Sequence, residues 1–271
     1  MLGLSASAEG AAALSCPAVL AALASLLKDP VEPVSSEACL VLVNLSSSST
    51  TCSTILDLQP PIVPILIQLM QDKRGSKAKL AEKASMLISN LSREQGAARE
   101  VNKQMVSAGL KIGQIVSLLC KEGEEPLPYL GPTLSNLSQL GEVRTQFLSE
   151  DQDLLQKLLP FTEYTKSHVA RGGVVGCLRN LSFSPASHPW LMGPKVDLVP
   201  RLVLPLAGPT PENLTDEEIE ALPLDLQYLD DDKKIEEDLD IRTMLLETLN
   251  QLCATRYEIL SFQDTLKTHH F

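Results

Sequence analysis

The stretch MLISNLSR, residues 86–93, recurs in closely related form three more times along the chain. The other copies read VLVNLSS (41–47), PTLSNLSQ (132–139) and CLRNLSF (177–183). Their asparagines, Asn44, Asn90, Asn136 and Asn180, are spaced by 46, 46 and 44 residues. A period of about 40–47 residues is typical of arrays in which each repeat is a small group of helices.

An amphipathic segment precedes each copy of the motif, for example PIVPILIQLM (61–70) and KIGQIVSLLC (111–120). Apolar residues recur in these segments at helical spacing. A unit of two or three helices cannot bury its apolar face alone, so neighbouring units must stack. The sequence therefore predicts an all-α, armadillo/HEAT-type right-handed α-solenoid.

A weaker fifth copy, LNQLCA (249–254), has Gln251 in the asparagine position. It follows Asn180 by 71 residues, which indicates an insertion in the last repeat. We place this insertion at 207–240, within a repeat array that extends over 1–255. Residues 256–271 fit no repeat and are predicted to be an atypical C-terminal tail.

The formal net charge is −11, and the insertion accounts for it with thirteen acids and two bases. An acidic chain of this kind is a poor nucleic-acid binder, because phosphates require a basic surface. The six cysteines have no zinc-site spacing and predict small, mostly buried thiols in a reducing compartment, the cytoplasm. The apolar run near the N-terminus has no positive charge before Lys28 and is too short to span a bilayer, so neither a signal peptide nor a membrane contact is expected.

The repeated asparagines admit two interpretations. A side-chain amide both donates and accepts, so a row of them could bind the backbone of an extended polypeptide. Alternatively, each asparagine could bond its own repeat near a helix end. Nuclear-import adaptors of this fold carry a tryptophan four residues before the asparagine, and here those positions hold Leu40, Met86, Pro132 and Gly176. The import-adaptor interpretation is therefore disfavoured.

The segment RGGVVGCLRN (171–180) lacks the pattern of a phosphate-binding loop. Its glycines permit close approach of a neighbouring helix or of a partner's backbone. Its two arginines could meet carboxylates of a bound protein, or could bond the acidic insertion or solvent. The predicted partner-binding residues are Asn90, Asn136, Arg171, Gly172, Gly173, Gly176, Arg179 and Asn180, with no catalytic or metal-binding residue.

The insertion contains TDEEIEAL, which has the pattern of a helix start with Thr215 as N-cap and Glu218 at the third position. The following LPLDLQYL (222–229) alternates apolar and polar residues. We expect it to pack on the solenoid, because an exposed stretch of that kind would be a sticky patch. The side chains predicted to pack are Leu222, Leu224, Leu226, Tyr228 and Leu229.

Four strings in this order resemble the Hgh family of eukaryotic armadillo-like proteins: RGGVVGCLRN (171–180), GPKVDLVPRLVLPLAGP (193–209), LPLDLQYLDDDKK (222–234) and DIRTMLLETL (240–249). The resemblance extends from about Pro60 to Thr255. It implies a cytosolic folding factor for translation elongation factor 2 that acts with the cytosolic chaperonin.

No nucleophile–base pair, metal-ligand set or phosphate loop is recognisable in the sequence. The leading hypothesis is a non-enzymatic, monomeric chaperone or adaptor that binds a protein client without a cofactor. The alternative hypothesis is a general protein-interaction scaffold in transport or signalling.

Overall fold

The computed structural model describes residues 1–72, 77–121, 125, 127–149, 153–210 and 214–254. Within these ranges all regular secondary structure is helical. The chain divides into two compact units, Met1–Arg144 and Thr145–Phe271. The predicted array boundary at residue 255 and the predicted tail, 256–271, lie outside the described residues.

The first unit contains ten helices within its described residues and part of an eleventh. They are α1 (Leu2–Ser5), α2 (Ala8–Leu14), α3 (Pro17–Leu26), α4 (Glu32–Leu45), α5 (Ser49–Leu56), α6 (Ile62–Gln71), α7 (Lys77–Leu91), α8 (Gln95–Ser107), α9 (Ile112–Leu119), α10 (Leu130–Leu137) and α11 (Gly141–Phe147), in which the boundary between the units falls. Each of α4, α7 and α10 ends at the leucine of one copy of the repeated motif. The recurring sequence therefore marks the end of the third helix of each repeat.

The core of the first unit lies where these terminal helices meet the shorter helices before them. Helix α7 packs against α4, α6 and α10. Leucine follows each motif asparagine, and Leu45, Leu91 and Leu137 are all buried. Burial of a leucine side chain contributes about 1.5–3 kcal/mol relative to exposure, so the motif leucines help to join successive repeats.

The second unit is built around two long helices. Its helices are α12 (Leu154–Leu158), α13 (His168–Ser182), α14 (His188–Leu191), α15 (Leu198–Val203), α16 (Asp216–Glu220) and α17 (Leu239–Cys253). Short 3-10 turns lie at Leu159–Glu163, Pro185–Ser187, Leu204–Leu206 and Leu224–Leu226. Helix α13 begins at a serine N-cap, where the Ser167 side chain accepts from the Ala170 N–H, and α13 packs along α17.

The helix predicted at the start of the acidic insertion is present as α16. The Thr215 hydroxyl accepts from the Glu218 N–H, and the Glu218 carboxylate accepts from the Thr215 N–H. This reciprocal pair satisfies two N–H groups that a helix start leaves without partners. The capping pattern in the sequence was therefore sufficient to locate the helix.

The packing predicted for LPLDLQYL is only partly correct. Leu226 is buried, and Leu222 and Leu229 are half-buried. Leu224 and Tyr228, in contrast, are exposed, at 81% and 64%. The prediction assumed an extended segment whose side chains alternate between two faces, but a 3-10 turn at Leu224–Leu226 breaks that alternation.

Burial determines the chemistry of the cysteine thiols. Cys39, Cys52 and Cys177 are buried, whereas Cys16 and Cys253 are exposed. Burial raises the pKa of the Cys39 thiol to about 12, although nearby Lys83 opposes the shift. Burial also raises the pKa of Cys52. Because the thiolate is the reactive form, Cys39 is an inert packing group at neutral pH.

Within the described ranges, no single helix is long and apolar enough to cross a membrane. Helices α2 and α3 reach that length and composition only when taken together, and they are bent by 85° where they meet.

Candidate partner-binding surface

The predicted partner-binding residues fall in both units. Asn90 and Asn136 end helices of the first unit, and the six residues from Arg171 to Asn180 lie on α13 in the second. We describe the two groups separately.

The asparagine side chains of the first unit connect one repeat to the preceding one. The Asn90 amide donates to the Ser46 hydroxyl at 2.9 Å and to the Val43 carbonyl at 3.4 Å. The Asn136 amide donates in the same way to the Ser92 hydroxyl at 3.3 Å and to the Ser89 carbonyl at 3.0 Å. These clasps explain why asparagine and serine recur together, because the asparagine of one repeat supplies the donor and the serine of the preceding repeat supplies the acceptor.

The first copy of the motif makes a similar bond, since the Asn44 amide donates to the Ser5 hydroxyl at 3.0 Å. The interpretation that an asparagine bonds its own repeat is correct in part, because Asn90 Oδ1 accepts from Arg93 Nη2 at 2.9 Å, but neither interpretation included the bond to the preceding repeat. The sequence did contain a signal for the bond between repeats, because a serine stands two residues after the asparagine in every copy of the motif. The binding of a partner by Asn90 or Asn136 stays a prediction. A partner that bonded either amide would have to replace the bonds described here or use the remaining hydrogen-bonding capacity of the side chain.

Replacement of Asn90 by alanine should destabilise the first unit. The Ser46 hydroxyl would lose its amide donor, and the loss of such a partly buried hydrogen bond costs about 0.5–1.5 kcal/mol. Urea denaturation followed by circular dichroism measures the change. Asn250→Ala is a matched control, because Asn250 is also helical but exposed, and it corrects for the higher helix propensity of alanine. Equal stability of the two variants would contradict the clasp.

The Arg171 guanidinium forms an ion pair with the acidic insertion. Its Nη2 donates to Glu236 Oε1 at 3.0 Å, its Nε lies 2.6 Å from Glu236 Oε2, and its Nη1 donates to the Tyr164 carbonyl at 2.7 Å. The side chains of Arg171 and Glu236 are only 14% and 6% exposed. Of the two interpretations of this arginine, bonding to the acidic insertion is therefore confirmed.

The strap formed by residues 233–238 is held at further points. The Glu236 N–H donates to the Pro205 carbonyl at 2.8 Å, and Lys233 Nζ donates to the Leu204 carbonyl at 3.0 Å. Lys233 Nζ also lies 3.5 Å from Glu163 Oε1. A cavity of about 360 Å³ remains beside this strap, lined by Thr162, Glu163, Thr165, Arg171, Pro205 and residues 233–237.

One of the three glycines of α13 that we predicted to bind a partner lies against a neighbouring helix. A Cβ added at Gly172 would lie 3.4 Å from Ile241 of α17, so this glycine lets the two helices approach closely. Gly173 and Gly176 are buried, so a partner cannot touch them in this conformation. Close approach of a neighbouring helix is thus the role that the structure supports for Gly172.

Arg179 lies at the accessible end of α13. Its guanidinium forms an ion pair with Glu247 of α17, and it lies over the Phe183 ring at 5.1 Å from the ring centroid. The Arg179 and Glu247 side chains are 32% and 45% exposed, in contrast to the buried Arg171 pair. Phe183 is also exposed, and an arginine stacked on an aromatic ring is a frequent element of protein interfaces.

The accessible side chains of α13 and α17, which include this ion pair, form the surface that we consider for a protein partner in the second unit. We name it the α13–α17 surface, and its members are Arg179, Asn180, Phe183, Leu239, Leu246 and Glu247. Phe183, Leu239 and Leu246 are exposed large apolar side chains. Sequence reasoning selected Arg179 and Asn180 but missed the apolar members, although Leu239 and Leu246 are seven residues apart, the spacing of one helical face.

The chain is similar to known proteins over most of its length. Residues 74–243 match a family described as "Domain of unknown function (DUF383)". The chain is 42% identical over 263 residues to "Protein HGH1 homolog" of Danio rerio, covering 94% of this chain and 67% of the relative. The rat homologue of the same name is 43% identical over 244 residues, covering 88% of this chain and 61% of the relative. The Drosophila melanogaster homologue is 33% identical, with 94% and 71% covered. The chain therefore spans between 61% and 71% of the length of these relatives.

Solved structures show the fold. A designed armadillo repeat protein is similar with a TM-score of 0.66 and 14% identity, covering 93% of this chain and 90% of that one. Another, solved in complex with the peptide (KR)4, has a TM-score of 0.65 at 14% identity, with 92% and 89% covered. The predicted all-α armadillo-type solenoid is thus confirmed.

Proposed function

Because the chain belongs to the family of the HGH1 homologues and has an armadillo-type fold, we propose that it is a non-enzymatic adaptor that binds a protein client. The client we propose is translation elongation factor 2, whose folding it would assist together with the cytosolic chaperonin in the cytoplasm. Support for this client comes from the resemblance of residues 171–249 to the Hgh family. Support for protein binding comes from the fold, since a similar designed protein was solved with a bound peptide.

The observation that carries the proposal is the composition of the α13–α17 surface. It combines an exposed phenylalanine stacked on an arginine with exposed leucines on the next long helix. Aromatic residues and arginine are enriched at the energetically dominant positions of protein interfaces, where charged and apolar contacts act together. Such a surface suits a folded or partly folded protein better than a small molecule.

The test is the affinity of the purified chain for purified elongation factor 2. The double variant Arg179→Glu/Phe183→Ala should bind at least tenfold more weakly, since it removes the aromatic contact and places an acid beside Glu247. Circular dichroism should remain unchanged, because both side chains are exposed or half-buried. Val106→Ala is the control, because Val106 is 60% exposed in the first unit, outside the α13–α17 surface.

An unchanged affinity of the double variant would remove the α13–α17 surface from the proposal. Absence of any binding to elongation factor 2, together with co-purification of a broad set of unrelated proteins, would instead favour the general interaction scaffold.

A further inference from the structure

The part of the insertion from residue 214 to residue 232 carries charge of one sign. It contains eight acids and neither lysine nor arginine. All eight are exposed: Asp216, Glu217, Glu218, Glu220, Asp225, Asp230, Asp231 and Asp232. Only Asp225 has an ion-pair partner among the described residues, Arg201 at 3.2 Å. Most of this charge is therefore available to another molecule.

This segment is nevertheless held in a defined conformation. The Gln227 side-chain amide donates to the Leu222 carbonyl at 2.7 Å and to the Glu220 carbonyl at 3.2 Å. The Leu229 N–H donates to the Thr210 hydroxyl at 2.7 Å, and the Thr210 N–H donates back to the Leu229 carbonyl at 3.4 Å. These residues are thus already ordered in the free protein, and this lowers the entropic cost of binding a partner.

Two large apolar side chains project from the fixed segment into solvent. Leu224 is 81% exposed and Tyr228 is 64% exposed, on either side of the buried Leu226. Tyr228 also has φ of 51°, a left-handed backbone that a bulky residue rarely adopts. An aromatic residue at a position that suits glycine indicates that its side chain has a role.

We propose that residues 214–232 are a docking segment for a basic protein surface. Leu224 and Tyr228 enter apolar depressions of the partner, and the surrounding carboxylates pair with its lysines and arginines. Charge complementarity determines the class of partner, because the phosphates of nucleic acids and of anionic lipids would be repelled. Tyrosine suits the anchoring role, since it contributes a large contact area with few rotatable bonds.

This docking segment shares no residue with the α13–α17 surface. The inference therefore does not depend on the proposed client. The two proposals can fail separately, because each is tested by variants that leave the other surface intact.

Photo-crosslinking from position 228 of the full chain tests the proposal. We place p-benzoylphenylalanine at position 228, and at position 106 as the control, since Val106 is similarly exposed but not near an acidic stretch. Each purified protein is irradiated in a eukaryotic cell extract, and the crosslinked peptides are identified by mass spectrometry. We expect position 228 to crosslink protein segments rich in lysine and arginine, with a yield at least tenfold above that at position 106.

Several outcomes would overturn the proposal. They are a yield no higher than that of the control, crosslinks to acidic or neutral surfaces, crosslinks to nucleic acid, or crosslinks to a second copy of this chain. Each of these results would assign the exposed pair to another partner or to none.

Two variants then separate docking from a structural role, with the crosslinked protein as the purified probe. Tyr228→Gly should weaken binding at least tenfold without lowering the melting temperature, because glycine accepts the positive φ. The triple variant Asp230→Asn/Asp231→Asn/Asp232→Asn should also weaken binding, and its affinity should depend less on salt. A lower melting temperature of Tyr228→Gly with unchanged affinity would show that Tyr228 is only a structural residue.

Discussion

Replacement of Arg171 by methionine is expected to lower the free energy of unfolding by about 3–5 kcal/mol, the usual effect of removing one partner from a buried ion pair. Methionine keeps most of the length of the side chain but leaves the Glu236 carboxylate, which is 6% exposed, without its counter-charge. The strap should detach from the rest of the unit before the helices unfold, because its detachment exposes the Glu236 carboxylate to water. Urea denaturation measures the loss, and a lysine-specific protease should cleave more rapidly after Lys233 and Lys234.

The structure provides a matched control for Arg171→Met. Arg179→Met removes the same kind of side chain from the same helix, but its pair with Glu247 is substantially exposed, so the expected change is no more than about 1 kcal/mol. The double variant Arg171→Met/Glu236→Met should recover most of the stability, because no buried charge is then left alone. Equal losses for Arg171→Met and Arg179→Met would show that burial of the first pair has no energetic consequence.

Truncation of Leu87 to alanine is expected to destabilise the first unit by about 2–5 kcal/mol, the range for large-to-small changes at fully buried sites. Leu87 is completely buried on α7, the helix that packs against α4, α6 and α10. The alanine leaves a cavity in the core around α7, and the close packing of the neighbouring helices limits how far they can relax into it. Thermal and urea unfolding both report the loss.

Val106→Ala serves as the comparison for Leu87→Ala, because Val106 is a helical residue of the same unit that is 60% exposed. Its expected effect is within about 0.5 kcal/mol. A loss below about 1 kcal/mol for Leu87→Ala would mean that α7 is not central to the core of this unit.

The elements with a strong local signal could be predicted from the sequence. The spacing of Asn44, Asn90 and Asn136 located the ends of three core helices, and the Thr215–Glu218 pattern located α16. Both predictions depend on residues within one helical turn or on a repeated period. Neither requires knowledge of what lies across the chain.

Partners that are distant in the sequence could not be predicted in the same way. Arg171 and Glu236 are 65 residues apart, and Arg179 and Glu247 are 68 residues apart. Nothing in the local pattern of either arginine distinguishes an internal carboxylate from one on another protein. The burial of Gly173 and Gly176 likewise could not be predicted from the sequence, since it depends on how α13 packs within its unit.

The clasps between repeats also make the first unit extensible. The block of residues 46–91 begins with the serine that accepts from Asn90 and ends with the leucine after that asparagine. A second copy inserted after Leu91 would place a leucine–serine sequence at both new joints, as at Leu45–Ser46 and Leu91–Ser92. Asn90, the asparagine of the inserted copy and Asn136 would then each have a serine hydroxyl and a carbonyl at the sequence distances now found for Asn90 and Asn136. The first unit thus contains a cassette of 46 residues by which it could be lengthened one repeat at a time, with the clasp residues in place at each new joint.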